Sequence, residues 1–116
     1  MTRRGIAPVL RQALVLEEVS ASPDGAGGYR EEWVTLGTLY AEVIAGTGRE
    51  RTADLVTLSM VPWRITVRGA PVGASERPRP GQRFRQGPRR FRILSVAERD
   101  AAGRYLLCLA HEEVAL

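Results

Sequence analysis

The alternation of apolar and polar positions breaks once in the longest strand-like stretch, Trp33-Val34-Thr35-Leu36-Gly37-Thr38-Leu39-Tyr40-Ala41-Glu42-Val43-Ile44. β-Branched and aromatic residues dominate it and no helical spacing is present, so it reads as a strand. Val34 and Leu36 share one face, but beyond Gly37 the apolar set is Leu39, Ala41 and Val43, which is the other parity. A one-residue slip turns every later side chain to the opposite face. A β-bulge at Gly37-Thr38 restores a single inward face and bends the strand. A long bent strand belongs in a curled sheet or small barrel, and the stretch from about Tyr29 to Ala45 is predicted to be its central strand.

The same reading places the other elements. Residues 1–10 form an extended N-terminal arm, because Gly5 and Pro8 discourage regular structure and the apolar residues have no period. Ala13–Val19 is a first strand, and Ser20–Gly28 is a loop marked by Asp24-Gly25. Gly46–Asp54 is polar and charged, with at most a short helix near 49–54. Val56–Arg68 is a second long strand whose parity slips beside Pro62, where proline implies a bulge or an edge. Gly69–Gly81 is a loop. Arg83–Arg85 and Arg89–Ala97 form a hairpin around Gln86-Gly87-Pro88, and Asp100–Gly103 is a turn. Tyr105–Ala110 is apolar at every position, which predicts a strand covered on both faces. In so small a protein the second cover is expected to be another subunit, with Tyr105, Leu106 and Cys108 as interface candidates. The expected class is all-β: a small β-barrel or curled sandwich of about six antiparallel strands with bulges, in one domain over 1–116.

Composition narrows the function by exclusion. With one cysteine and one histidine in 116 residues, neither an intrachain disulfide nor a four-ligand metal site is expected. The N-terminus lacks the apolar region of a signal peptide, and no apolar run reaches the ~20 residues that span a bilayer, so no membrane role is expected. His111 in His111-Glu112-Glu113 lacks the second histidine of a metalloprotease helix and reads as a surface residue at a strand end. Cys108 reads as a buried, inert thiol. Gly46-x-Gly48 and Gly25-x-x-Gly28 lack the strand–helix order and lysine of a phosphate loop. No catalytic constellation and no cofactor are expected.

Charge is the more informative feature. All 17 basic residues are arginine, which favours planar anionic partners such as carboxylate and phosphate. Arg77, Arg79, Arg83, Arg85, Arg89, Arg90 and Arg92 follow one another with no acid among them. With Phe84 and Phe91 inward, Arg83, Arg85, Arg90 and Arg92 point outward together. Like charges facing each other across strands destabilise a sheet. This face is therefore either a solvated surface or a surface for an anionic partner, an acidic protein or nucleic-acid phosphate. The inward parity of the aromatics argues against a single-strand-binding platform, which stacks bases on exposed rings.

The order of these signals resembles the phage head–tail joining family, the small head-closure or stopper proteins of siphophage connectors and phage-like gene transfer agents. The resemblance runs from about residue 11 to 113. It is carried by Asp24-Gly25-x-x-Gly28, Glu32-Trp33, Leu39-Tyr40-Ala41-Glu42-Val43, Gly48-Arg49-Glu50, Trp63–Arg68, Phe91–Val96 and Leu107-Cys108-Leu109. It implies a structural, non-enzymatic connector located at the head–tail interface of a virion or phage-like particle and assembled in the bacterial cytoplasm. Such a protein forms a homo-oligomeric ring, sixfold or twelvefold, under portal and adaptor proteins. It meets a tail terminator or tail proteins on the other side and retains packaged double-stranded DNA. The resemblance also implies a channel or gate loop, here the stretch from Ala45 to Asp54 with Gly46, Gly48, Arg49, Glu50 and Arg51. A tail terminator ring protein and a nucleic-acid-binding β-barrel are the alternatives.

Overall fold

The computed structural model describes residues 7–46 and 62–113. These form six strands: β1 (Gln12–Pro23), β2 (Tyr29–Ala45), β3 (Trp63–Arg68), β4 (Arg83–Gln86), β5 (Arg89–Glu98) and β6 (Tyr105–Glu113). Neighbours pair antiparallel in the order β1-β2-β3-β6-β5-β4, and β4 returns to β1 to close a barrel. Among the described residues there is no helix. The short helix expected near 49–54, and the part of the second long strand before Pro62, lie outside the described residues.

β2 has the predicted bounds and the predicted break in parity. Leu16 pairs with Gly37 and Glu17 with Thr35, so Leu36 is the extra residue, one position before the expected site. Beyond this bulge Leu39, Ala41 and Val43 line or flank the core, as their common parity requires. A second bulge, not foreseen from the sequence, lies in β5. Ile93 pairs with Ala110 and Ser95 with Leu109, which leaves Leu94 half exposed on the outside.

The core is filled from all six strands. Leu14 and Leu16 meet Ala41, Ile65, Val67, Phe84, Phe91, Ile93, Leu106, Cys108 and Ala110, each at most 1% exposed. Burial of a side chain the size of Leu or Phe contributes about 1.5–3 kcal/mol. Phe84 and Phe91 pair directly across β4 and β5, so the largest core side chains sit where the hairpin closes the barrel. Where the chain leaves β3, the Gly69 N–H donates to the Arg104 carbonyl at 2.7 Å. A Cβ on Gly69 would collide with the Gly103 carbonyl oxygen, so only glycine fits this approach.

The register separates the two ends of the barrel. At one end the Gly46 N–H donates to the Pro62 carbonyl at 2.7 Å, Ala45 pairs with Trp63, and the β4–β5 turn and the end of β6 lie alongside. At the other end are the loop 69–82 and the turn 99–104. From that end β1 and β2 continue past the barrel: β4 pairs with β1 only over Val15–Glu17, whereas β1 and β2 stay paired out to Pro23 and Tyr29. The expected loop at Ser20–Gly28 is therefore shorter, with strand through Pro23. Six residues per strand make a two-stranded ribbon about 20 Å long. Its turn is built on Asp24, whose Oδ1 accepts from the N–H groups of Ala26 at 2.8 Å and Gly28 at 3.0 Å. Gly25 and Gly27 take φ of +86° and +91°, which other residues adopt only with strain.

Candidate functional site

The outer wall formed by β1, β4 and β5 carries the arginine cluster. Phe84 and Phe91 point inward, so Arg83 and Arg92 face each other across the outer surface, and so do Arg85 and Arg90. The repulsion expected between them is met from neighbouring strands. Arg83 Nε donates to Glu17 Oε1 at 2.6 Å, and Arg85 Nε donates to Glu17 Oε2 at 2.8 Å. Glu17 is only 5% exposed and sits between the two guanidiniums. Burial pushes its carboxyl pKa up, but the hydrogen bonds and charges of Arg85 and Arg83 outweigh that and hold it below the ordinary value. On the far side Glu113 lies 3.2 Å from Arg92 and 4.0 Å from Arg83.

Trp33 completes this wall. Its ring lies under the guanidiniums of Arg83, 4.0 Å from the ring centroid, and Arg92, at 5.0 Å. A guanidinium over an indole face is attracted by the ring quadrupole, by about 0.5–2 kcal/mol depending on desolvation. Trp33 stands at the root of the ribbon, so this stack ties the ribbon to the barrel. Loop 69–82 holds the other side of the root: Arg79 Nη2 donates to Glu18 Oε1 at 2.6 Å and Gln82 Nε2 donates to the same oxygen at 3.0 Å.

Arg89 belongs to a different place. It points to the barrel mouth and grips Glu112 with two hydrogen bonds of 2.8 and 3.0 Å. It also lies 5.0 Å from the Trp63 ring and 4.9 Å from Phe91. Trp63 meets Phe91 edge to face at 5.6 Å. The pair with Arg89 lowers the Glu112 pKa and raises that of Arg89. This ion pair caps the barrel end from which Gly46 and Pro62 emerge.

The family described as phage head completion protein matches residues 6–113. The chain belongs to that family. Among solved structures it is similar to a chain from the virion of a native gene transfer agent particle, with 57% identity, a TM-score of 0.76, and coverage of 94% of this chain and 100% of that one. A protein from Shigella flexneri 2a, solved in solution, shares the fold at 22% identity and a TM-score of 0.67, with 92% and 96% coverage. No curated protein matches. Membership makes this chain a structural, head-closure component of the head–tail connector.

The structure sorts the residues singled out in the sequence. Arg83, Arg85 and Arg92 are on the outer wall as expected, but much of their charge is spent on Glu17 and Glu113. Arg90 makes no ion pair among the described residues, and its Nε is buried without a partner, as are Arg92 Nε and His111 Nδ1. Leu106 and Cys108 are fully buried in the barrel, so neither presents a surface to another subunit. Of the three candidates Tyr105 faces outward, together with Leu107 and Leu109, all half-buried. Desolvation raises the Cys108 thiol to about 12, which accounts for an inert cysteine. Gly46 stands at the exit of β2, whereas Gly48, Arg49, Glu50 and Arg51 lie outside the described residues. Sequence reasoning missed Glu17, Glu113 and Trp33. Glu17 had no signal in the local pattern, since it shares its side of β1 with Val15 and Val19.

Proposed function

We propose that this chain completes DNA-filled heads by forming a homo-oligomeric ring under the portal and adaptor, which retains the packaged DNA and offers the tail its docking surface. The carrying observation is the 57% identity, over 94% of the chain, to a component of a gene transfer agent virion. A closed barrel whose outer-wall arginines are mostly held by its own carboxylates supports a scaffolding role. It keeps its own shape and offers its ends and outer faces to partners. Engagement of Arg83, Arg85 and Arg92 by Glu17 and Glu113 reduces the free charge of this wall and favours protein–protein contact over phosphate binding as its use. A phosphate reader needs free cations and shows steep salt dependence.

The test is deletion of the gene in the producing strain, followed by electron microscopy and measurement of packaged DNA. The expected result is tail-less heads that lose their DNA, with tails assembled separately, and recovery on complementation. Normal tailed particles without the chain overturn the reading. Tails of abnormal length with intact, filled heads would instead identify a tail terminator.

A further inference from the structure

The projecting ribbon has two unlike faces. Pairing of Val19 with Trp33, Ala21 with Glu31 and Pro23 with Tyr29 puts these six side chains on one side. Glu18, Ser20, Ser22, Arg30, Glu32 and Val34 take the other. The first side is an apolar strip broken by one acid. Beyond Trp33 it is open to solvent, with Val19 38% and Tyr29 74% exposed. An isolated two-stranded ribbon is marginally stable in water. A strip of this kind at the end of such a ribbon marks a contact surface.

A complementary surface lies elsewhere on the same molecule, on the outside of β2, β3 and β6. The register sets Ile44, Arg64 and Leu109 in one row; nearer the ribbon end Arg68 pairs with Tyr105, and Tyr40, next to the last pair of Ala41 with Val67, stands on the same outward side. Tyr40 is 60% and Ile44 49% exposed, and both arginines are exposed. Neither Arg64 nor Arg68 makes an ion pair among the described residues, and neither does Glu31. One surface thus offers apolar groups around an acid; the other offers apolar groups around two cations, with Glu42 in the row between them engaged by the Val9 N–H at 3.2 Å.

We infer that the ribbon of one copy lies on the β2–β3–β6 outer face of the next copy, with Val19, Pro23 and Tyr29 on its tyrosines and leucines and Glu31 against Arg64 or Arg68. Because the two patches differ, the contact is head-to-tail, and such contacts generate rings when the rotation closes. The strongly charged wall around Glu17 is left at the root, where Trp33 sets the direction of the ribbon. This inference rests on the ring reading above and adds which surfaces make the ring.

The test places a photo-crosslinking amino acid at Tyr29 in the full chain, in particles purified after irradiation. The expected product is a dimer of this chain, with the cross-link mapped by mass spectrometry to 63–68 or 105–109. Mixed light and heavy isotope labelling shows that it joins two copies. Glu31→Arg is expected to lower particle yield about tenfold or more, the scale of an interface hot spot, and Arg68→Glu or Arg64→Glu to recover part of it. Cross-links only to a different particle protein, to another part of a second copy, or to nothing overturn the contact while the head-closure role stands. Absence of the chain from purified particles overturns the reading beneath it as well.

Discussion

The outer wall at β4 and β5 and the ribbon at the end of β1 and β2 share a strand, yet they solve the problem of exposure in opposite ways. On the wall, four arginines crowd across two strands, and Glu17, Glu113 and Trp33 hold three of them, Arg83, Arg85 and Arg92, within the monomer. On the ribbon, Val19, Tyr29 and Glu31 find no such partners in their own chain among the described residues. Glu17 and Val19 are two residues apart on the same side of β1, and the change happens between them. A surface that satisfies its own charges contributes to folding, whereas a surface left unsatisfied is kept for assembly. Substitutions in the two regions should therefore separate stability from particle formation.

The largest effect is expected at Glu17. Glu17→Ala leaves Arg83 and Arg85 without their shared anion on a poorly hydrated wall, and a loss of about 3 kcal/mol in chemical denaturation is expected. Arg90→Ala removes a neighbouring charge with no ion pair and should change stability by less than about 0.5 kcal/mol. Equal effects would mean that the wall is an ordinary solvated face. The pH dependence follows the same group. Its pKa in the folded chain lies below the ordinary 4.5, so its contribution is present above that value and is lost as pH falls through the folded pKa. Glu112, lowered by Arg89, acts in the same sense. Stability should drop as pH is taken from 5 towards about 3, and Glu17→Gln should flatten part of that slope.

The joint between the regions comes next. Trp33→Ala removes the ring under Arg83 and Arg92, with an expected cost of about 1–2 kcal/mol. It should also free the direction of the ribbon, read as weaker hydrogen-exchange protection of Ser20–Ser22 with little change in β3 or β6. A uniform loss of protection would show instead that Trp33 supports the whole barrel.

How far these regions were legible in the sequence differs for physical reasons. The bent central strand of a barrel or curled sandwich followed from periodicity, because a parity slip beside Gly37 is a local signal with one repair. The inward Phe84 and Phe91 and the outward arginines followed in the same way. The ion pairs did not follow, because Glu17 reaches Arg83 across 66 positions and depends on which strands meet when the barrel closes. The β1 half of the ribbon reads as loop from Ser20 because serine, alanine and proline carry little strand propensity. It is strand only because β2 opposite it is extended and antiparallel pairing continues outward. The last strand was legible only in part. Its run of apolar residues marks a strand with two apolar faces but does not say which members face out: Leu106 and Cys108 serve the core, and Tyr105, Leu107 and Leu109 hold the outward positions.

The smallest effect on folding is expected at the ribbon tip. Val19→Ser with Tyr29→Ser removes two exposed apolar side chains beyond the last contact with β4, so denaturation should shift by less than about 0.5 kcal/mol. Hydrogen exchange supplies the matching control. Amides of Ala21–Ser22 and Tyr29–Glu31 have one paired neighbour and no core behind them, so in the free protein they should exchange far faster than those of Ile65 or Cys108. Labelling of the buried Cys108 thiol should follow global unfolding and be unchanged by the double substitution, since ribbon opening does not expose it. If assembly fails in this variant while Cys108 labelling and denaturation match the parent, the ribbon's exposed strip acts in assembly alone. If the variant instead unfolds more readily, the strip packs on its own barrel in solution, and the contrast between wall and ribbon is lost.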